Sequence, residues 1–457
     1  MQQIRTDICI IGAGSGGLSV AAGAVQMGAK VVLIEAGLMG GDCLNHGCIP
    51  SKALLAAAAR VPPIGFAAAK EHVRQVIATI APVDSQERFE ALGVRVIRAP
   101  GAFVSRTQVQ AGDAVITARR FVLATGSGPL IPPIPGLPEV AVHTNETIFD
   151  LRDAPRHLLI IGGGPIGLEM AQAHRRLGCA VTVIEADRAL PRDDPAMAAV
   201  VLAQLRAEGV QIVEGAKAER ISGIDGDITV HTTKGDFAGS HLLVAVGRQV
   251  TVTGLGLDLG GVAHDRRGIT VDAGLRSVTN ARVYAIGDAA GGLQFTHVAG
   301  YQAGVIIRSM LFGLRSRQRS DHIPWVTYTS PELAQVGLTE AQARSRHGAA
   351  VTVVSADLAH NDRAIATDQT AGRVKVMVVR GRPVGATIVG DAAGELIGLW
   401  ALALSSRLKM RAIAGMVLPY PTRGEVNKRA ASAYFSPRLF DSPVIKRIVG
   451  LVQRIVP

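Results

Sequence analysis

Two glycine turns constrain this chain more than any other feature. Gly12-Ala13-Gly14-Ser15-Gly16-Gly17 stands between the apolar run Asp7–Ile11 and the Ala-rich stretch Leu18–Met27, and a second apolar run, Lys30–Glu35, follows. The same order returns as Leu158–Ile161, Gly162-Gly163-Gly164-Pro165-Ile166-Gly167, Leu168–Leu177 and Ala180–Glu185. Gly12 to Glu35 is 23 residues, and Gly162 to Glu185 is again 23. One such turn is weak evidence. Two, each between strand and helix and each with an acid closing the next strand, predict a pair of dinucleotide-binding βαβ units. The first glycine makes the turn, the second admits a pyrophosphate, and the third packs helix on strand. The helix N-terminus offers N–H groups to the phosphates, and the acid accepts from ribose hydroxyls. Gly12, Gly14, Gly17 and Glu35 are the candidates for one nucleotide, and Gly162, Gly164, Gly167 and Glu185 for the other.

Composition bounds the rest. A chain of 457 residues is expected to form two to four domains at roughly 100–200 residues each. Apolar residues at 48% and charged residues at 19% exclude a disordered chain. No run of about 18 uncharged apolar residues occurs, because the best candidate, Val389–Ser406, carries Asp391 and Glu395. No signal peptide opens the chain, and four cysteines are too few for a disulfide scaffold, so a cytoplasmic enzyme is expected. The net charge of +11 is concentrated: from Ser405 onward ten basic residues face two acidic ones. No nucleic-acid motif accompanies them, and a basic surface is expected instead.

Further strand-to-glycine turns occur at Phe121–Ser127, Leu242–Gly247 and Val283–Asp288. Beyond the polar linker Arg315–Asp321, strands are predicted at Thr327–Gly337, Val351–Asp357, Arg373–Val379 and Val384–Val389. Helices are predicted at Glu395–Arg411 and Glu425–Phe435.

Cys43 and Cys48 sit in a glycine-flanked loop, Gly40 to Gly47, directly before a helix start marked by Pro50. A zinc site would need a second ligand pair, and none follows at a suitable spacing. Unpaired core thiols, as expected of Cys9 and Cys179, are the bland alternative. A thiolate at Cys48 would feel the positive end of the helix dipole, so a redox-active disulfide is the sharper reading.

Gly40-Gly41-Asp42-Cys43-Leu44-Asn45-His46-Gly47-Cys48-Ile49-Pro50-Ser51-Lys52 resembles the signature of the class I pyridine nucleotide-disulfide oxidoreductases, which include dihydrolipoamide dehydrogenase, glutathione reductase and mercuric reductase. The resemblance covers nearly the whole chain. It implies an α/β fold: two Rossmann-like dinucleotide-binding domains plus an α+β C-terminal dimerisation domain. The expected ranges are 1–150 and 276–322 for FAD, 151–275 for NAD(P), 323–440 for the dimer interface and 441–457 for a basic amphipathic tail. By the same resemblance FAD would contact Gly12, Gly14, Gly17, Glu35, Ala102, Thr125, Gly126, Gly287 and Asp288. The nicotinamide nucleotide would lie against Gly162, Gly164, Gly167, Glu185 and Gly247. Cys48 would face the flavin, Cys43 would exchange with the acceptor, and Lys52 would pair with Glu169 beside the flavin. No metal cofactor is implied. Glu185 favours NADH by repelling a 2′-phosphate, while Arg188 leaves NADPH open.

The pattern breaks near the C-terminus. Where lipoamide dehydrogenases and glutathione reductases carry a catalytic His, with a Glu five residues on, this chain has Tyr420 and Glu425. A phenol near pKa ~10 is a poor proton shuttle at neutral pH, a handicap of roughly 10²–10⁴-fold for thiol–disulfide exchange. Mercuric reductases are similar in carrying Tyr here, yet they also carry a C-terminal Cys pair, and no cysteine follows Cys179. The chain opens directly on the first strand, so no N-terminal metal-binding domain is expected. His46, between the two cysteines, is expected to pack locally, with a base role as the alternative; His297 is expected to be structural. The acceptor is expected to be a small disulfide, a lipoyl group or a metal ion, reached from a homodimer whose C-terminal residues complete the partner's site. A dihydrolipoamide dehydrogenase with an altered base is the second enzyme reading, and a flavin-loaded redox-sensing or membrane-associated binding protein with little turnover the third. Val444 to Val456 predicts an amphipathic tail helix, expected to dock on the dimer rather than on a membrane.

Overall fold

The computed structural model describes residues 1–456 and contains two compact units: Met1–Ala186 with Val213–Gln318, and Asp187–Ile212 with Arg319 onward.

In the first unit, parallel strands Arg95–Arg98, Val31–Glu35, Gln2–Ile11 and Ala114–Leu123 lie side by side in that order. Val283–Ala285 joins them parallel to Phe121–Leu123. The N-terminal strand is longer than its apolar run because Gln2–Thr6 also pairs along Ala114–Ala118. An antiparallel flap, Gly101–Ser105 and Gln108–Ala111, extends the edge. A second parallel array holds Ala180–Ile184, His157–Ile161, His241–Val244 and Val142–His143. These strands are apolar on both faces, and Ile8, Ile10, Leu33, Leu159, Ile160 and Leu243 are almost completely buried, as parallel sheets covered by helices require. Parallel order places the turns that leave these strands at one end of each sheet, where the ligands of such folds bind.

The second unit is an antiparallel sheet ordered Pro324–Thr327, Glu332–Gly337, Arg382–Gly390, Arg373–Val379 and Val351–Asp357. Its core gathers around Trp400, wholly buried, whose indole donates to Asn427 Oδ1 at 2.8 Å. The expected α/β class with a separate α+β C-terminal part is therefore the fold observed.

Two local expectations are corrected. Thr327–Gly337 is two strands with Ser330-Pro331 between them, since proline has no N–H for the ladder. Glu395–Arg411 is broken into helices Ala393–Leu396, Gly398–Ser405 and Met410–Ala414, with Arg407 in the left-handed region at φ 53°. Within the range 151–275, Asp187–Ile212 groups with the second unit. There the helix Pro195–Ala207 is capped by Asp194, which Lys375 Nζ contacts at 2.9 Å, while Trp325 Nε1 donates to Asp193 Oδ1 at 2.9 Å.

Candidate functional site

The two glycine turns have nearly superimposable constraints. Gly12 has φ 106° and Gly162 φ 116°; a Cβ on either would lie 2.3–2.4 Å from the carbonyl oxygen of Ala124 or Ala245. A Cβ on Gly17 would sit 1.9 Å from the Gly12 oxygen, and one on Gly167 2.0 Å from the Gly162 oxygen. These glycines are demanded by the chain's own backbone. Gly164, by contrast, has nothing within 4 Å of that position, and Gly14 only the Gly41 Cα at 3.9 Å. The acids bind their own turns: Ala13 N–H donates to Glu35 Oε2 and Gly163 N–H to Glu185 Oε2, each at 2.6 Å.

No side chain caps the helices Ser15–Gln26 or Pro165–Arg176, whereas Asp194 and Thr339 cap the helices they precede. First-turn N–H groups have no partner inside their own helix, so two uncapped glycine-lined N-termini fit two nucleotide pyrophosphates. Thr125-Gly126 and Val246-Gly247 follow the two wall residues in the same way. Ala102 follows Gly101, where a Cβ would meet Ile34 at 3.0 Å and Ile11 at 3.5 Å, at the ends of the first two strands.

The cysteine loop is fixed to the first turn backbone to backbone. Gly40 N–H donates to Ala13 O at 3.0 Å, Gly14 and Gly40 form a parallel bridge, and a Cβ on Gly41 would meet Gly14 Cα at 2.7 Å. Cys43 lies in the short helix Gly41–Asn45, and Cys48 opens the helix Cys48–Ala58. Both are thiols in this structure, Cys43 half-buried and Cys48 exposed. The hydrogen bond from Cys43 is the main reason the Cys48 pKa falls to about 6; the Thr296 hydroxyl, 3.5 Å away, and the Lys52 charge add to it against the cost of burial. The Cys43 thiol is pushed up by the same hydrogen bond. Both directions favour a thiolate on Cys48 over one on Cys43. Burial alone drives the Cys9 thiol far up, which leaves it inert.

Lys52 lies one turn after Cys48, and its Nζ donates to Glu169 Oε2 at 2.8 Å; that carboxylate, on the second-turn helix, is 4% exposed. Asp288, brought in by the returning strand, accepts from Ser127 Oγ. Arg248 Nε donates to Ser127 Oγ at 2.7 Å, and its Nη2 lies 3.2 Å from Asp42, which also accepts from Asn145 at 3.0 Å. Burial raises the Asp288 pKa despite Ser127 and Arg248. Cys43, Cys48, Lys52, Glu169 and Asp288 thus share one unit. Thr296, Ser127, Asn145 and Arg248 escaped the sequence reading; they join the network only through contacts across roughly a hundred residues or more, and no local motif marks them.

Tyr420 and Glu425 lie in the second unit. Tyr420 is exposed, and its hydroxyl donates to Asp362 Oδ2 at 2.7 Å, a bond that raises the phenol pKa. Glu425 opens the helix Glu425–Ala433, with its Oε2 buried and free of protein hydrogen bonds. Asp362 was also missed. The His46 imidazole makes no hydrogen bond among the described residues, and the His297 ring stacks on Phe295 at 5.4 Å. The described residues contain no His, Cys, Asp and Glu cluster suited to a metal ion, and no helix long and apolar enough to cross a membrane.

The chain is similar to the mercuric reductase of Bacillus cereus, 34% identical over 94% of this chain and 71% of that protein. It is 30% identical to the dihydrolipoyl dehydrogenase of Bacillus subtilis (strain 168), over 92% of this chain and 96% of that one. Among solved structures, the Cu(II) complex of the HOCl-induced flavoprotein disulfide reductase RclA from Escherichia coli superimposes with a TM-score of 0.87. There the identity is 29%, covering 94% of this chain and 99% of that chain. Residues 323–431 match the dimerisation domain of the pyridine nucleotide-disulphide oxidoreductases. Residues 6–303 match the family's main domain. These matches settle the family: the chain belongs to the pyridine nucleotide-disulphide oxidoreductases, enzymes that use FAD and NAD(P)H.

Proposed function

We propose that this chain is a homodimeric, NADH-preferring flavoenzyme of the cytoplasm whose Cys43–Cys48 pair delivers two electrons to a thiophilic metal ion. FAD, when bound, carries two-electron transfer between the nicotinamide and the cysteine pair. Gly12, Gly14, Gly17 and Glu35 hold its ADP half, with Ala102, Thr125, Gly126, Gly287 and Asp288 alongside. Gly162, Gly164, Gly167, Glu185 and Gly247 hold the nicotinamide nucleotide. Glu185 already accepts a turn N–H, and its charge disfavours a 2′-phosphate.

Lys52, oriented by Glu169, keeps positive charge near Cys48, while Cys43 retains its proton. The acceptor is where the reading turns. A disulfide acceptor needs a base to take up and return the Cys43 proton. Tyr420 cannot serve, because its hydroxyl donates to Asp362 and its pKa is raised. A metal ion displaces that proton itself by bonding to the thiolate. The Tyr420–Asp362 hydrogen bond is therefore the observation that carries the metal-ion reading. As a homodimer, Tyr420 and Glu425 act at the partner subunit's cysteine pair. One Hg(II) would take both electrons and leave as the metal, or two Cu(II) would each take one, with the pair closing to a disulfide.

The test is NADH oxidation by FAD-loaded protein offered Hg(II), Cu(II), lipoamide or glutathione disulfide. Metal-dependent turnover at least ~10²-fold above that on either disulfide, lost in Cys43→Ser, is expected. Equal turnover on lipoamide would replace the metal-ion reading with that of a lipoamide dehydrogenase using another base.

A further inference from the structure

The last helix, Pro443–Ile455, buries none of its residues against its own chain. Ser442 caps it, its hydroxyl accepting from the Ile445 N–H at 3.4 Å, so it is a properly started helix and not a frayed end. At 3.6 residues per turn, all seven of its aliphatic side chains, from Val444 to Ile455, fall within an arc of about 160°. Lys446, Arg447 and Arg454 occupy the opposite face, and no acid stands among them. Ile448, Leu451 and Ile455 are 56%, 59% and 71% exposed, and Phe440 just before the helix is 68% exposed. An apolar face this wide and this uncovered needs a partner.

We propose that this helix lies in the surface of an anionic membrane, apolar face down, and holds the enzyme there reversibly. Thirteen residues of helix span about 20 Å, too short to cross a hydrocarbon core of about 30 Å but suited to lying in its plane. The wholly cationic polar face complements anionic head groups, and the aliphatic arc excludes nucleic acid as the partner. A second copy of the chain is the other occupant to weigh. The match to the family's dimerisation domain ends at residue 431, so this helix lies outside the matched domain. The sequence-based preference for docking on the dimer is replaced by this reading.

The experiment is sedimentation of the FAD-loaded full chain with phosphatidylcholine vesicles, with and without a quarter of phosphatidylglycerol. Retention is expected on the anionic vesicles only, at low salt. Ile448→Asp, and separately the pair Arg447→Glu with Arg454→Glu, should each weaken it at least ~10-fold, as should raising the salt to about 0.5 M. Flavin absorbance and NADH oxidation should not change in these variants, which shows that they fold. Failure of the intact chain to sediment with anionic vesicles would overturn the proposal. So would retention indifferent to Ile448→Asp, which would place adsorption elsewhere. Conversion of the dimer to monomer by Ile448→Asp would overturn it too, by assigning the face to a second copy.

Discussion

The two glycine turns share backbone geometry but not surroundings. The first is enclosed. Gly40 and Gly41 pack on Gly14, and Glu35 takes a second N–H, from Gly37 at 2.6 Å. The second is open at its middle glycine, and its helix begins with Pro165 and ends with His174, Arg175 and Arg176. Enclosure suits a nucleotide that stays, and openness one that comes and goes at every turnover. On the function proposed above, the same motif serves a resident and a visiting cofactor, and what lies behind the turn makes the difference.

The largest effect should come from breaking each turn at its third glycine. Gly17→Ala and Gly167→Ala both drive a Cβ into a backbone oxygen, at a cost of ~3 kcal/mol, the upper end of the usual range. Gly17→Ala should yield protein without bound flavin. Gly167→Ala should keep its flavin spectrum and lose NADH turnover. Loss of flavin from both would erase the distinction.

The acids should sharpen the comparison next. Glu35→Gln should weaken FAD retention in dilution or dialysis by roughly 10-fold, as expected for losing charge from a hydrogen bond to the turn N–H. Glu185→Gln should leave FAD in place, raise the KM for NADH by a similar factor and narrow the preference over NADPH. A rise in NADH KM without any narrowing would assign nucleotide choice to Arg188.

A smaller effect separates the enclosed turn's cysteine loop from everything around it. With its pKa near 6, Cys48 is a thiolate above that pH and loses its charge as pH falls through it. The stability this supplies is complete above the ordinary thiol pKa and disappears as pH drops below about 6. Absorbance of the reduced protein at 240 nm, followed from pH 8 to pH 5, should fall with a midpoint near 6. Thr296→Val removes one of the hydroxyl contacts that lower that pKa, so the midpoint should rise by less than a unit. An unmoved midpoint would leave the Cys43 hydrogen bond and Lys52 as the effective partners.

Both turns were legible in the sequence because glycine at a positive φ, or pressed against backbone, has no substitute. The class of fold followed from their repetition. Lys52 and Glu169 were reached by resemblance to a family, since 117 residues separate them and no spacing rule joins them. Arg248, Ser127 and Asn145 were illegible for the same reason, with nothing to mark their convergence on Asp42 and Asp288. Asp187–Ile212 reads like any helix of a βαβ module; its packing on the strands Glu332–Gly337 and Arg382–Gly390, with contacts through Asp193 and Asp194, groups it with the C-terminal sheet. Period-based reading also runs through punctuation, as it did at Pro331 and Arg407.

The unequal crowding of the three glycines bears on how such modules age. If a descendant of this chain stopped binding a nucleotide at its second turn, Gly162 and Gly167 would still be held by the carbonyls they press against. Only Gly164, where a Cβ would meet no atom within 4 Å, would be released to drift. A turn that keeps its outer glycines and has lost the middle one is then the fossil of a binding site on an intact fold. The middle position, more than the whole pattern, is the residue to inspect when asking whether a ligand is still there.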